Sequence, residues 1–501
     1  MVCMNTMATS PGLKRQNMGR AQDRISSLPD DILHSILSMV PLKSAIRTSA
    51  LSRRWRSLYE HCIIFATVLD FGEEFSCSQS PEQFATTVNR YLPLHGDGKL
   101  EKFRILFSPF DLFMPDIESW ISFAVSKGVK VLDLDLSQGI THNGIYIDER
   151  WPFKLPNCLF QCNSLTHLYL SRCEFTGPID LRCFQGLREL SLSYIEFTDE
   201  MLQIILLNSP FLESLILRNC ALLVDIKISG PDIRLRSLTL VGCLPSTELE
   251  ISAPNLQSLI LYGRLSAPYH FNNISALVDA HICSTIRVTD NDYVTLLTDL
   301  AHVKILTLSS AALMDLALAT EYDDDEYFPI QLQNLQELQL AMDSISEEHL
   351  TCIFAFFEHC PSPFLEKLFI QLMVDMEDPI GVADTVTITK IAPDVAFSHL
   401  KLIKISNFRG SITELRLVKF LLGNAIVLES LVLVASQASD HTKRCDDSLA
   451  MRILRGQLSL IPKASAEACI VLHEFFEDDC NLNPTHRIVC RENGVQTFDW
   501  A

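Results

Sequence analysis

No apolar run in this 501-residue chain reaches the ~18 residues that a membrane-spanning helix needs. The opening stretch, MVCMNTMATSPGLKRQNMGR, also lacks the continuous apolar core of a secretory signal. Sixteen cysteines are too few for a disulfide scaffold of this size, and no CxxC pair occurs. These absences together predict a reducing compartment: cytoplasm, nucleus or both. Basic residues are scarce. Lys and Arg number 41 against 61 Asp and Glu, a net charge of −20, and general nucleic-acid binding needs the opposite balance. Catalytic signatures are missing as well, with no Walker loop, no GxSxG, and no GxGxxG following a strand. The HEFFED run at His473 lacks the second histidine of a zinc protease, and His473, Cys480, His486 and Cys490 match no familiar zinc-finger spacing. The acidic run EYDDDE at 321–326 reads as a solvated loop. The expectation is a chain with no catalytic residue, metal, cofactor, nucleic acid or membrane partner.

What is present is repetition. The hexamer L-x-x-L-x-L recurs as LTHLYL at 165, LRELSL at 187, LESLIL at 212, LRSLTL at 235 and LQSLIL at 256. It continues as VKILTL at 303, LQELQL at 335, LEKLFI at 365, LKLIKI at 400 and LESLVL at 428, with VKVLDL at 129 as a first member and LVDAHI at 277 as a degenerate one. Starts from 165 to 277 lie 21 to 25 residues apart, the period of a leucine-rich repeat. Each hexamer reads as a short strand whose apolar residues find cover only when repeats stack. The fold class is therefore α/β, a curved parallel β-sheet with outer helices and loops. Cys173, Cys220 and Cys243 each follow the last leucine of a hexamer by three residues, where the repeat takes Asn or Cys, and are expected to be buried structural thiols.

The residues between the inward leucines form a column across the concave side: Tyr169, Ser191, Ile216, Thr239, Ile260, Thr307, Gln339, Phe369, Lys404 and Val432. Such a face is expected to meet solvent. Tyr169, Ile216, Ile260 and Phe369 are more apolar than solvation requires, and with Lys404 they are the candidates for contact with a target protein.

Ahead of the repeats, RISSLPDDILHSILSMVPLKSAIRTSALSRRWRSL (24–58) holds three short helical stretches. Leu28, Ile32, Leu33, Ile36 and Leu37 make one apolar stripe. Ser27 with Asp30 suggests a capping box, Pro29 sits in the first turn, and Ser52 can open the third helix. About 35 residues are too few for an independent core, so the apolar face is expected to dock elsewhere. The first 64 residues carry nine Lys/Arg and four Asp/Glu, a local +5 that leaves −25 on the remainder.

This stretch resembles the F-box, in its plant version particularly. The resemblance implies docking to the Skp-type adaptor of a cullin–RING ubiquitin ligase through Leu28, Pro29, Ile32, Leu33, Ile36, Leu42, Ala45, Leu51, Arg54 and Trp55; Ser44 stands where many relatives have an acid. A second resemblance covers HLKLIKISNFRGSITELRLVKFLLGNAIVLESLVL (399–433), which is similar to the FBD region of plant F-box/leucine-rich-repeat proteins. It reads as strand, turn at Arg409-Gly410, helix from about Glu414 to Asn424, and strand. Two short closing helices are expected over 447–460 and 464–477.

The expected organisation is a disordered lead-in (1–22), the F-box (23–64), a linker and N-terminal cap (65–128), leucine-rich repeats (129–398), FBD-like repeats and cap (399–478), and a tail (479–501). The function implied is that of a non-catalytic substrate-recognition subunit of an SCF-type ligase. Two alternatives stand beside it: a ligand-gated, hormone-type receptor on the same scaffold, and a repeat scaffold not engaged with a ligase.

Overall fold

The computed structural model describes residues 25 and 27–498, apart from 41, 77–78, 108–110, 138–152, 176–180, 231–232, 244–247, 264–267, 285–292, 323–329, 374–391, 437–443, 475–481, 487 and 491–495. The lead-in at 1–22 and residues 323–326 of the acidic run lie outside the described residues.

Three helices open the chain: α1 (Asp30–Met39), α2 (Leu42–Thr48) and α3 (Arg53–Ile64). The capping box expected at Ser27 is not used. Pro29 is the N-cap residue of α1 and no side chain caps it, while Asp30 and Asp31 place negative charge at the positive end of the helix dipole. Ser52 does open α3, its Oγ accepting from the Trp55 N–H at 3.3 Å. Leu33, Leu37, Ala45, Trp55 and Leu58 bury one another, with Leu28 and Ile36 against them. The motif thus has a small core of its own, where the sequence suggested none. It stays attached through α2, whose Leu42 and Ile46 pack on the main core and whose Lys43 Nζ donates to the Glu74 carbonyl.

Among the described residues, the body is built on a parallel sheet of fifteen strands whose spatial order is the chain order. The strands are β1 (Val68–Phe71), β2 (Lys102–Leu106), β3 (Val131–Asp135), β4 (His167–Ser171) and β5 (Glu189–Ser193). They continue as β6 (Ser214–Arg218), β7 (Ser237–Val241), β8 (Ser258–Gly263), β9 (Asp279–Ser284) and β10 (Ile305–Ser309). The last five are β11 (Glu337–Met342), β12 (Lys367–Leu372), β13 (Leu402–Phe408), β14 (Ser430–Ala435) and β15 (Cys469–His473). The register repeats from strand to strand, so Leu168, Leu190, Leu215 and Leu238 stack as one buried row. Each buried leucine contributes about 1.5–3 kcal/mol before entropy is subtracted, and only its neighbours make that burial complete.

Each strand from β4 to β7 is followed by a residue of positive φ: Arg172, Tyr194, Asn219 and Gly242. Their N–H groups extend the ladder beyond the strands, Asn219 to the Val241 carbonyl and Gly242 to that of Tyr262, both at 2.7 Å. Gly242 is needed twice over, because a Cβ there would fall 2.2 Å from Asn219 Oδ1. The cysteines follow this step. Cys173 and Cys220 are buried and Cys243 half-buried, with Cys220 Sγ 3.8 Å from the Leu192 carbonyl and Cys243 Sγ 3.4 Å from that of Leu217. Burial pushes the Cys173 thiol well above its usual range, as befits a packing residue.

The sheet begins at Val68, within the stretch read as linker and N-terminal cap, where VLDF and KFRIL place Leu69, Phe71, Phe103 and Ile105 inward without the leucine spacing of the later hexamers. Aromatic packing closes this end, with the Phe84 and Phe107 rings stacked at 4.9 Å and Trp120 set edge-on to both. Toward the other end, residues 447–460 fall largely in the helix Arg444–Ser459, but the described residues of the second stretch, 464–474, contain no helix: CIVLH forms β15 beside β14, where the ladder rewards its β-branched residues.

Between β13 and β14 the helix Ile412–Asn424 begins at Ser411, in a capping box with Glu414. The Glu414 carboxylate is buried and one of its oxygens accepts from three backbone N–H groups, Arg409 at 3.0 Å, Gly410 at 2.6 Å and Ser411 at 3.0 Å. Leu417, Phe420, Leu421 and Leu428 are all buried, as the amphipathic pattern predicts.

Candidate functional site on the helical motif and the concave face

The ten residues singled out in the helical motif divide by position. Leu33, Ala45 and Trp55 are buried in the motif's interior, while Leu28, Ile36 and Leu42 are half-buried. Pro29, Ile32, Leu51 and Arg54 face solvent, with Ile32 47% and Leu51 69% exposed. Arg54 ties α3 back to the start of α1, its Nη2 lying 2.7 Å from the Leu28 carbonyl and 2.5 Å from Asp30 Oδ1. The motif is therefore a small folded platform that exposes aliphatic side chains, a surface suited to a protein partner.

The residues of the concave column lie in register. Register aligns Tyr169, Ser191, Ile216, Thr239 and Ile260, then His281, Thr307, Gln339, Phe369, Lys404 and Val432. His281 was missed because its hexamer, LVDAHI, has alanine in place of the second leucine. The column also runs further toward the N-terminus, through Asp133, Arg104 and Asp70.

Its exposure departs from the expectation of a solvated face. Tyr169 and Ile216 are half-buried, but Ile260, Phe369 and Lys404 are buried, as are Ser191, Thr239, Thr307, Gln339 and Val432. Phe369, Leu402, Val432 and Val434 form an apolar cluster separate from the main core. Over the C-terminal half lies a segment distant in sequence, Leu482–His486. Lys404 Nζ lies 3.2 Å from the Leu482 carbonyl, and the Thr485 N–H donates to Glu337 Oε1 at 2.8 Å. His486 is itself buried, with Nδ1 2.7 Å from Thr307 Oγ1 and Nε2 3.0 Å from Asp279 Oδ1, its ring 5.3 Å from that of His281. Burial, and then the His486 ring, hold the His281 pKa well below the usual imidazole range. Gln339 donates to Glu337 Oε1 at 2.7 Å, yet its own Oε1 is buried with no donor in reach among the described residues. A buried acceptor left open costs about 1–3 kcal/mol.

The N-terminal half is more open and more charged. Arg104 stands between Asp133 at 3.0 Å and Asp70 at 4.0 Å. Burial pushes the Asp133 carboxyl up to about 6, outweighing the opposing pull of Arg104. Tyr169 is held above the ordinary phenol range by burial and by its contact with Glu189. Arg218 Nη1 reaches Ser191 Oγ at 3.5 Å. Among the described residues no three His, Cys, Asp or Glu side chains converge on a metal position. His486 is committed to Asp279 and Thr307, Cys480 lies outside the described residues, and nothing is described of the Cys490 side chain.

Comparison with known proteins matches this division of the chain. The family described as "At1g61320/AtMIF1, LRR domain" matches residues 97–476, and the F-box domain family matches residues 25–61. Among similar proteins, F-box/FBD/LRR-repeat protein At1g13570 of Arabidopsis thaliana is 28% identical over 455 residues, covering 87% of this chain and 96% of that protein. FBD-associated F-box protein At4g10400 of the same plant is 30% identical over 345 residues, covering 66% of this chain and 80% of that protein. F-box/FBD/LRR-repeat protein At1g78750, also from Arabidopsis thaliana, is 25% identical and covers 91% and 98%.

Proposed function

Because this chain belongs to the F-box proteins that carry a leucine-rich-repeat domain of the At1g61320/AtMIF1 type, we propose that it is a substrate-recognition subunit of an SCF-type ubiquitin ligase. In this role α1–α3 hold a Skp-type adaptor, and through it a cullin–RING ligase, while the concave face holds a target protein. The work is done in the cytoplasm, the nucleus or both. The observation that carries the reading is the presence of two surfaces: a helical platform with its own small core exposing Pro29, Ile32 and Leu51, and a solenoid whose strands are fixed by the main core.

No group on this chain needs to touch the bond being made. Holding a target beside the ubiquitin-carrying arm turns an encounter between separate molecules into an intramolecular one, and raises the local concentration of the target's lysines. The basic balance of the first 64 residues adds steering toward an acidic partner surface.

The test is co-expression of the full chain with a Skp-type adaptor, beside a version lacking residues 24–60. Stoichiometric co-purification with the full chain alone is expected. If neither form retains the adaptor, the ligase role falls and a free-standing repeat scaffold takes its place.

A further inference from the structure

The strap Leu482–His486 lies across several strands of the sheet. It contacts β13 through Lys404, β11 through Glu337, and β10 and β9 through Thr307 and Asp279. Strands stand about 4.8 Å apart, and the span is shared between the strap, which bends at Thr485 and His486, and the long Lys404 side chain that reaches its Leu482 end. The way the bed holds the strap is specific in kind. Glu337 and Lys404, both buried, address the strap's backbone: the carboxylate accepts an N–H and the ammonium donates to a carbonyl. Such contacts read a main chain whatever its side chains. Among the described residues, one position reads a side chain, the imidazole of His486 between Asp279 and Thr307.

The strap is also an imperfect occupant. Leu482, Asn483 and Thr485 remain exposed, and Gln339 Oε1, in the middle of the bed, meets no donor among the described residues. A segment with one more N–H or hydroxyl aimed at Gln339 would fit the bed better than the resident one does.

We propose that the concave face over β9–β13 is a groove for a peptide segment, with Leu482–His486 as its built-in pseudo-ligand. A target presents its backbone to Glu337 and Lys404 and a histidine to Asp279 and Thr307, and it displaces the strap. This deepens the ligase-receptor reading by naming the chemistry of the target segment and a self-blocked state.

The probe is a labelled synthetic peptide of residues 480–491, with fluorescence anisotropy in reducing buffer as the readout. The chain truncated before Cys480 is expected to bind it saturably, and the full chain about tenfold more weakly or worse, since its own strap competes at high effective concentration. A peptide carrying His486→Ala should lose about tenfold in affinity for the truncated chain, the scale of one lost anchor. As truncation can harm folding, full-length His486→Ala, which keeps every strand, is measured in parallel and is expected to admit the wild-type peptide better than the unmodified chain does. Equal peptide binding by all three proteins, or none by a truncated chain that still melts cooperatively and by the His486→Ala chain, overturns the proposal. Adaptor capture is scored separately: a chain that captures adaptor but refuses peptide sinks the groove alone, and the reverse result sinks the ligase role alone.

Discussion

Asp133 offers a perturbation whose sign and size follow from its surroundings. Its carboxyl is pushed up to about 6 in the fold by burial, against about 3.9 in an unfolded chain. Between those values the folded state binds a proton that the unfolded state does not, so this group adds stability as pH falls and withdraws it as pH rises through 6. From pH 7.5 to 5.0 the linkage amounts to about 1.4 kcal/mol, and roughly 1 kcal/mol once allowance is made for the exposed part of the side chain. Asp133→Asn keeps the shape and removes the titration. Chemical denaturation of both proteins at the two pH values cancels the titrating groups that do not interact with Asp133. The wild type is expected to gain roughly 1 kcal/mol on the variant at the lower pH. If the two proteins kept a constant difference across that range, the claim that Asp133 is desolvated more strongly than Arg104 compensates would be refuted.

Other substitutions probe separate parts of the molecule. Glu414→Ala should cost about 3–5 kcal/mol by leaving three backbone N–H groups without their shared acceptor, measured by denaturation, with Glu414→Gln recovering part of the loss. Trp55→Ala should destroy adaptor capture by emptying the core of the helical motif at a cost of about 3–5 kcal/mol, visible as faster proteolysis near residues 24–64 while the solenoid melts unchanged. Tyr169→Ala combined with Ile216→Ala should weaken target capture on the open half of the concave face without altering adaptor capture, as followed by parallel pull-downs.

The parts of this fold that could be read in the sequence are those set by local pattern. The hexamers from 129 onward mark strands because three apolar residues at fixed spacing must share one side, and the run from Ser411 to Asn424 marks a helix by its cap and periodicity. The cysteines could be placed for the same reason, as each sits at a fixed step after its strand. What escaped is set by distant partners. Ile260, Phe369 and Lys404 were expected to face solvent because alternation alone says "outward"; nothing local reveals that Leu482 returns to Lys404 across 78 positions or His486 to Asp279 across 207. CIVLH at 469 does not declare itself a strand locally, because the pairing with β14 that makes it one is also non-local. In the helical motif the ten residues shared one pattern, yet that pattern mixes two jobs: Leu33, Ala45 and Trp55 build the platform, and Ile32 and Leu51 are displayed on it.

The displayed residues Ile32 and Leu51 can be separated experimentally from those that build the platform. The decisive measurement is the affinity of a purified Skp-type adaptor for the full chain and for the chain carrying Ile32→Ser and Leu51→Ser, with thermal melts of both. The account predicts an unchanged melt and at least a hundredfold loss of affinity, about 2.7 kcal/mol for two exposed aliphatic anchors. Unchanged affinity would contradict it, and would mean that the exposed face of the helical motif is not where this chain meets its adaptor.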